Sequence, residues 1–414
     1  MAKAFIVMGY NNTRLADVKK LKSYASGIHS AELVLCKSGL SGFDREAVRH
    51  CIECDLEPTA ANIDAILGYL SAHSLELLGV LPFSDKGVPI GALLADRMGL
   101  RGGDPTRVQG AADKHEYRVS EWECRDLPAF HRVIRAREVR SAEDVWDFWK
   151  TVSPSRVFLK PKGEGNSRGC RRIAQADEID GVFEGLRPYL AGGVLAEECI
   201  DGAREYSVDH VAGFSWLTEK STTTGAYRAE VQQIVPAPLS SEVADRIRQS
   251  GFIAAKLCGF NGNAFHNEVF LFPEGHQTAV VEPNLRPAGM RIWDLAALAF
   301  DLDPWAAWLN YSRDGKLVPE SIRQRAFAGI RMLRARSEGV VTSLPDVSEL
   351  QQKSLGAVEI VLTKAIGDTV TDRVENNADF IGHVIFASPS YEVTQAGLES
   401  CAEKIETAVG VASV

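Results

Sequence analysis

The stretch Phe265–Leu295 reads FHNEVFLFPEGHQTAVVEPNLRPAGMRIWDL, and its pattern decides how the rest of the chain is read. Two short apolar runs, each carrying one acidic residue, flank a Pro-Glu-Gly turn. The first holds Glu268 in Asn-Glu-Val-Phe-Leu-Phe. The second runs Ala-Val-Val-Glu282-Pro-Asn284-Leu-Arg286-Pro. Side chains alternate faces along a strand, which predicts that Glu282 and Asn284 project from one side. If the two runs pair, three hard oxygen donors and a guanidinium converge on one small volume. Magnesium is held by one or two carboxylates together with substrate phosphates, and an arginine beside it steadies charge on a transferring phosphoryl group. Each carboxylate taken alone reads as a solvated strand residue. The ordered set reads as a phosphoryl-transfer site.

At 414 residues the chain exceeds one hydrophobic core, and two to three domains are expected. Apolar residues make up 45% and charged residues 24%, as in ordinary globular proteins. A net charge of -9 argues against a nucleic-acid partner, which would call for a basic face. No apolar run approaches the ~20 residues of a membrane span. The N-terminus, MAKAFIVMGYNNTR, lacks the small-residue cleavage site of a signal peptide and reads as a buried first strand, so a cytoplasmic protein is expected. Cys51 and Cys54 form a lone C-x-x-C with no second ligand pair for zinc, which makes reduced thiols the default.

Strand and helix signals alternate through the first third: strands at 4–8, 31–35 and 77–81, helices at 13–24, 62–72 and 88–98. This βαβα order predicts a parallel sheet with helices on its faces, and ligands in such folds sit beyond the carboxyl ends of the strands. The turns Met8-Gly9-Tyr10 and Pro82-Phe83-Ser84-Asp85 are candidate cleft walls. The middle third holds strands near 156–160, 170–174, 194–197 and 205–211, with helices at 142–150, 178–190 and 243–257. One helix is expected from Ile292 to about Leu309. The last hundred residues read as a small α+β unit closed by a helix at 394–407.

Residues 156–170, RVFLKPKGEGNSRGC, hold a glycine-rich loop whose backbone amides can approach phosphate oxygens closely. It lacks the Gly-Lys-Ser/Thr ending of a Walker A loop, and its G-x-G-x-x-x-G spacing is one residue too long for a dinucleotide fingerprint. A strand-loop-strand flap over a triphosphate is the expectation. Lys160 lies in an apolar strand, where an unpaired ammonium is costly unless it meets an anion. Further on, Glu197-Glu198-Cys199-Ile200 ends a strand that can offer backbone groups to an adenine edge, and Glu205 can take ribose hydroxyls.

Asp113-Lys114, the Lys160 strand and its flap, Glu197-Glu198, Gly202 and Glu205, then Glu268 and Glu282-Pro-Asn284-Leu-Arg286-Pro-Ala-Gly289 follow one another in this order. The set resembles the ATP-grasp superfamily of carboxylate–amine ligases, most closely the L-amino-acid ligases and their biotin-carboxylase-like relatives, over essentially the whole chain. The resemblance implies an α/β and α+β architecture: an N-terminal parallel-sheet (pre-ATP-grasp) domain at 1–112, an ATP-grasp domain at 113–312 with a mobile lid at about 135–196, and a small C-terminal α+β domain at 313–414. It implies ATP and Mg2+ (or Mn2+) as cofactors. Lys114 and Lys160 would contact phosphates, Ser167 and Gly169 would lie in the flap, and Glu197, the Glu198–Cys199–Ile200 backbone and Glu205 would cradle adenine and ribose. Glu268, Glu282 and Asn284 would hold the metal, and Arg286 would steady charge on the reacting acyl group. In the flap, Asn166-Ser167-Arg168 departs from the family's small residues, and Cys199 replaces a frequent aromatic.

The implied reaction activates a carboxylate as an acyl phosphate and passes the acyl group to an amine, so the expected partners are small-molecule carboxylate and amine substrates, with a homodimer compatible with the family. Arg291 is a second catalytic candidate, as a clamp on another carboxylate, with a surface arginine as the alternative. The polar segment 217–238 reads as a lid over the acceptor, in which Arg228 or Glu230 would read an α-carboxylate or α-amine. Two other readings stand beside this one: a carboxylase or acyl-to-thiol ligase, and an ATP-binding regulatory protein without catalysis.

Overall fold

The computed structural model describes residues 1–413 apart from 155, 166–167, 224–228, 354–356 and 375–376. The first unit alternates strand and helix: β1 (Ala2–Met8), α1 (Leu15–His29), β2 (Glu32–Lys37), α2 (Gly42–Ala47), β3 (His50–Glu53), α3 (Ala60–Ala72), β4 (Leu75–Pro82) and α4 (Gly87–Met98). The strands form a parallel sheet in the order β3-β2-β1-β4. Residues Ala4–Met8 of β1 are buried without alternation, as a strand covered on both faces requires. Phe5 and Val7 meet Val18, Leu21 and Ala25 of α1, while Ala4, Ile6 and Met8 meet Ile63, Ile66 and Leu70 of α3 and Ile90 and Leu94 of α4. Helix α1 runs on to His29, five residues beyond the expected Tyr24, and α2 and β3 are additions to the sequence reading.

A short helix α5 (Lys114–Glu123) leads into a small sheet ordered β5-β8-β6-β7, made of β5 (Ala136–Val139), β6 (Val157–Pro161), β7 (Arg171–Ile173) and β8 (Val194–Glu198). Helices α6 (Ala142–Val152) and α7 (Ile179–Glu184) bury Val145, Phe148, Val152, Ile179 and Phe183 against it. The predicted helix at 178–190 is shorter than expected: α7 stops before Gly185 and a 3-10 turn takes over at Arg187, with Pro188 in its first positions.

The large sheet runs β13-β12-β9-β10-β11-β14-β18-β16. Its strands are β9 (Arg204–Val211), β10 (Phe214–Thr222), β11 (Glu230–Val235), β12 (Ala264–Leu271), β13 (Thr278–Glu282), β14 (Phe327–Leu333), β16 (Ala357–Leu362) and β18 (Gly382–Ser388). Helix α8 (Ser241–Leu257) packs Ile247, Ala254 and Ala255 on it. The segment 217–238, read as a polar lid, is instead mostly β10 and β11, two paired strands of this sheet. Its tip, including Arg228, lies outside the described residues. The sheet continues through the β11–β14 pairing into the C-terminal residues, so the expected division at 312/313 falls between strands of one hydrogen-bonded sheet.

The single helix expected from Ile292 is two: α9 (Ile292–Ala299) and α10 (Pro304–Asp314). Asp303 caps α10 by accepting from the Trp305 and Ala306 amides, and Pro304 takes the first helical position, where its missing N–H costs nothing. Trp293, Trp305 and Trp308 from these helices are buried with Phe83, joining the carboxyl edge of the parallel sheet to the large sheet. Truncating one such side chain to alanine costs about 3–5 kcal/mol. The C-terminal residues add β15 (Gly339–Ser343), α11 (Val347–Lys353), β17 (Thr369–Val370), α12 (Tyr391–Ala408) and β19 (Gly410–Ala412), with a second small sheet ordered β17-β15-β19. Among the described residues no helix is long and apolar enough to cross a membrane, and all eight cysteines are free.

Candidate active site

Strands β12 and β13 pair antiparallel with Glu268 opposite Glu282, which meets the condition set by the sequence pattern. A bulge follows at once, because Val269 pairs with Val280 and leaves Val281 unmatched. Bulges of this kind re-aim side chains at sheet edges. β13 ends at Glu282, so strand alternation does not place Asn284. That residue is held by its own amide, which donates to the buried Asn267 side chain at 2.8 Å, and by its carbonyl, which accepts from the His266 amide. The Asn284 side chain then donates to Glu282 at 3.5 Å and accepts from Arg286 Nη2 at 3.3 Å.

Asp113 explains Lys114. Its carboxylate caps α5 by accepting from the His115 and Glu116 amides, which fixes the helix start and turns Lys114 into a cleft. The cleft is lined by Asp85, Lys114, Gly163, Gly165, Glu282 and Asn284, among others. Lys114 Nζ lies 3.2 Å from Glu282 and donates to the Glu164 carbonyl at 2.7 Å, so the flap between β6 and β7 is docked over it. Burial would lower the Lys114 pKa, but Glu282 and Asp85 outweigh it and raise it. Gly169 sits in the flap with φ +72, where a Cβ would lie 2.8 Å from Pro161 and from Tyr189. Ser167 lies outside the described residues.

Behind the flap, Lys160 and Glu197 face each other at 2.7 Å across β6 and β8. Arg118 completes the group: its Nε donates to Glu197 at 2.7 Å, Nη1 to Glu121 at 2.9 Å, and Nη2 to the Val280 and Val281 carbonyls at 2.9 and 3.0 Å. Burial alone would raise the Glu197 pKa, yet Arg118 and Lys160 hold it below the ordinary carboxylate value. Burial lowers the Lys160 pKa, and Arg118 and Lys114 pull the same way against Glu197. Three cations therefore share this pocket, and an added anion would relieve their repulsion.

Glu197 points into this inner group, not toward the strand edge where adenine was expected. The Glu198 amide donates to the Arg135 carbonyl and the Cys199 amide to the Arg156 carbonyl. Of the three hinge amides, that of Ile200 alone has no hydrogen-bond partner among the described residues. The Glu198 side chain turns away to Arg132 and Arg135.

Glu205, Glu230 and Glu268 bring one oxygen each within 4.8 Å of one another, a spacing a divalent cation could bridge. Lys220, 6% exposed, holds all three, at 2.7 Å from Glu205 and closer to the other two. Burial raises the Glu205 pKa, with Glu268 and Glu230 adding to it. Glu268 is held low by Lys220 and His266 against its burial. His266 in turn donates to Asp209 at 2.8 Å, and its pKa is lifted to about 9 against burial by Asp209 and Glu268. Glu268 and Glu282 thus share an edge of sheet but engage different lysines.

Arg286 forms a two-point pair with Asp85, through Nε at 2.7 Å and Nη2 at 3.0 Å, which ties the loop after β13 to the loop after β4. Arg291 is turned elsewhere: it pairs with Asp294 and, at 3.0 and 3.1 Å, with both oxygens of Glu359. Its backbone lies in the left-handed region (φ 61), as does that of Met290 (φ 46). Such strain in non-glycine residues collects at functional loops. The sequence reading overlooked Asp85 as a partner of Arg286, along with Arg118, Lys220 and Arg14. Only Lys220, a lysine in the strand run Trp-Leu-Thr-Glu-Lys, carried a signal like that of Lys160.

The hard oxygens of Glu282 and Asn284, beside Lys114 and within the field of Arg286, fit a magnesium ion that also holds phosphate oxygens. Glu268, one strand away, fits the same role once Lys220 is otherwise engaged. Residues 331–410 match the family described as L-amino acid ligase C-terminal domain 2. A D-alanine–D-alanine ligase B from Chromobacterium violaceum is 28% identical over 226 residues, covering 53% of this chain and 71% of that protein. Among solved structures, the L-amino acid ligase from Bacillus licheniformis superposes with a TM-score of 0.78 at 16% identity, covering 100% of this chain and 99% of that one. The biotin carboxylase domain of the Hydrogenobacter thermophilus 2-oxoglutarate carboxylase, a complex with MgADP, ADP and bicarbonate, superposes with a TM-score of 0.69 at 15% identity, covering 100% and 91%.

Proposed function

We propose that this chain, which has the three-domain ATP-grasp fold, is an ADP-forming ligase that joins a carboxylate, of the amino-acid type, to an amine. The observation that carries the reading is the convergence of Lys114, Glu282, Asn284 and Arg286 on one cleft beneath a docked glycine flap, with Lys160 buried behind it. On this reading the working units are 1–112, 113–312 and 313–414. The family match at 331–410 and the likeness to amide-forming ligases support it.

A carboxylate is a poor electrophile at neutral pH. Its oxygen takes the γ-phosphoryl group of ATP as ADP leaves, and the acyl phosphate so formed has a good leaving group. The amine nitrogen then attacks the carbonyl carbon, phosphate departs with the electrons of the C–O bond, and the nitrogen loses a proton. Each residue has a definite part. Lys114 and Lys160 hold phosphate oxygens, and in doing so release Glu282 and Glu197 from their present pairs. Glu282 and Asn284, with Glu268, would hold magnesium, or manganese in its place, which would offset the charge that repels the incoming carboxylate. Arg286, fixed by Asp85, faces the negative charge that grows on the acyl oxygens. The flap excludes water that would hydrolyse the acyl phosphate. Ile200, whose amide has no partner among the described residues, takes the adenine edge, and Glu205 the ribose.

Phosphate release measured across amino acids, singly and in pairs, with mass spectrometry of the products, tests this reading. Release that needs two components and yields their condensation product is expected. Release with no pair, or none with any pair, would remove it.

A further inference from the structure

Two buried ionisable residues, Asp209 and His266, take no part in the proposed reaction. Asp209 is fully buried on β9, and among the described residues His266 is its one cationic partner, with Nδ1 at 2.8 Å. The hydroxyls of Ser207, at 2.7 Å, and Thr218, at 3.1 Å, donate to the other Asp209 oxygen. Strand register builds this group. His266 stands opposite Asp209 and Glu268 opposite Ser207 across β9 and β12, and Thr218 stands opposite Ser207 across β9 and β10. Residues directly opposite one another in a sheet project from the same face, so these side chains meet. A buried charged pair is costly beside an apolar pair of similar volume. The far edge of the ring reaches the site: Nε2 faces Glu268 Oε1 at 3.6 Å, an ion-pair separation. The backbone of the same residue reaches it too, since the His266 amide donates to the Asn284 carbonyl at 2.8 Å.

Glu268 has a second cation, Lys220, which meets the same oxygen, Oε1. The two cations hold it differently. Lys220 divides its ammonium among Glu205, Glu230 and Glu268. His266 is backed by Asp209, which two hydroxyls hold in turn, so the ring is fixed on its far side. Carboxylates that bind a metal are themselves oriented by outer partners of this kind. We propose that His266, anchored by Asp209, is a positioning residue that tethers Oε1 of Glu268 and aims the other oxygen at magnesium; this rests on the metal set of the reading above. Asp209 then acts on the metal through two other side chains, touching neither metal nor substrate.

ADP binding, titrated by calorimetry with saturating magnesium and again with EDTA, reads the metal contribution without turnover. Wild-type protein should bind ADP more tightly with magnesium, and the size of that gain is compared between variants. His266→Gln leaves the backbone bond to Asn284 in place. Its magnesium gain should fall about tenfold while its affinity in EDTA stays that of wild type. For Asp209→Asn the gain should fall roughly threefold or more. The double variant should lose no more than His266→Gln alone, because Asp209 acts through the ring. Equal losses with and without magnesium would make His266 a support of the fold and overturn the proposal. An unchanged gain, or losses that add in the double variant, would overturn it as well. Wild-type protein that binds no ADP, or binds it equally with and without magnesium, would remove the metal set and this proposal with it. If His266→Gln does not fold, Asp209→Asn carries the test alone, and an unchanged magnesium gain in that variant overturns the proposal.

Discussion

Lys160 and Glu197 hold each other at 2.7 Å on neighbouring strands, both almost wholly buried, and Arg118 grips the same carboxylate from the other side. The two cations are not equivalent. Arg118 also satisfies Glu121 and two β13 carbonyls, whereas Lys160 has one further contact, with the Val281 carbonyl at 3.4 Å. Lys160 is therefore the cation free to change partner.

Substitution should separate these roles. Arg118→Met strips donors from two buried carboxylates and should cost about 3–5 kcal/mol of stability. Lys160→Ala leaves Glu197 paired with Arg118 and should cost about 1–2 kcal/mol, but should weaken nucleotide binding ten- to a hundredfold. Denaturant melts and nucleotide titrations of both variants check this. Equal effects on stability and affinity would contradict the division.

Glu282 is partly exposed, and its partners are Lys114 and Asn284. Glu282→Ala should lower turnover by roughly 10²–10³-fold with little change in the melting midpoint, because the loss falls on charge stabilisation in the reaction and not on the core. The check is phosphate release at rising magnesium concentration. Wild-type turnover in the variant would remove Glu282 from the metal set.

A pH effect on stability follows from His210. Its ring stacks on Phe265 with centroids 5.2 Å apart, and burial lowers its pKa to about 4. The unfolded chain takes up the proton near pH 6.5 and the folded chain does not. The stability contributed by the neutral ring is therefore present above pH 6.5 and is lost as pH falls toward 4, by about 3 kcal/mol at most. His210→Phe removes that dependence. Urea unfolding at pH 7 and pH 4.5 should show the variant gaining about 2–3 kcal/mol relative to wild type at the lower pH. Parallel curves would contradict it.

Arg291 offers a test of its candidate role. Its fork is taken by Glu359, and both side chains are about a third exposed, so breaking the pair should change stability by no more than about 1 kcal/mol. Should Arg291 leave Glu359 to clamp a substrate carboxylate, Glu359→Gln would lower KM for that substrate and Arg291→Gln would raise it several-fold. A KM indifferent to both changes assigns the pair to structure alone.

Much of the architecture was legible because it rests on local signals. The apolar run of β1 and the Pro-Glu-Gly turn after β12 each act within a few residues, whereas α5 and its Asp113 cap were not read from the sequence. The pairing of the two runs was a condition of the sequence reading, while the register that sets Glu268 opposite Glu282, with its bulge, came from the structure. Other features needed contacts that no local pattern carries. Arg118 meets Glu197 across 79 positions, Arg286 meets Asp85 across 201, and Arg14 meets Pro287 across 273. The β10–β11 hairpin was hidden because its polar residues line the face that carries Lys220 and Glu230, so that a strand read as a loop. The break between α9 and α10 was present in the sequence as Asp303-Pro304 and follows from capping chemistry once that pair is given weight.

The most direct test of the central claim is the nucleotide product formed during coupling. Wild-type enzyme with magnesium, ATP, and the carboxylate and amine that together stimulate phosphate release should form ADP, phosphate and the amide in equal amounts. AMP and pyrophosphate in place of ADP, or ADP formed without any condensation product, would contradict it.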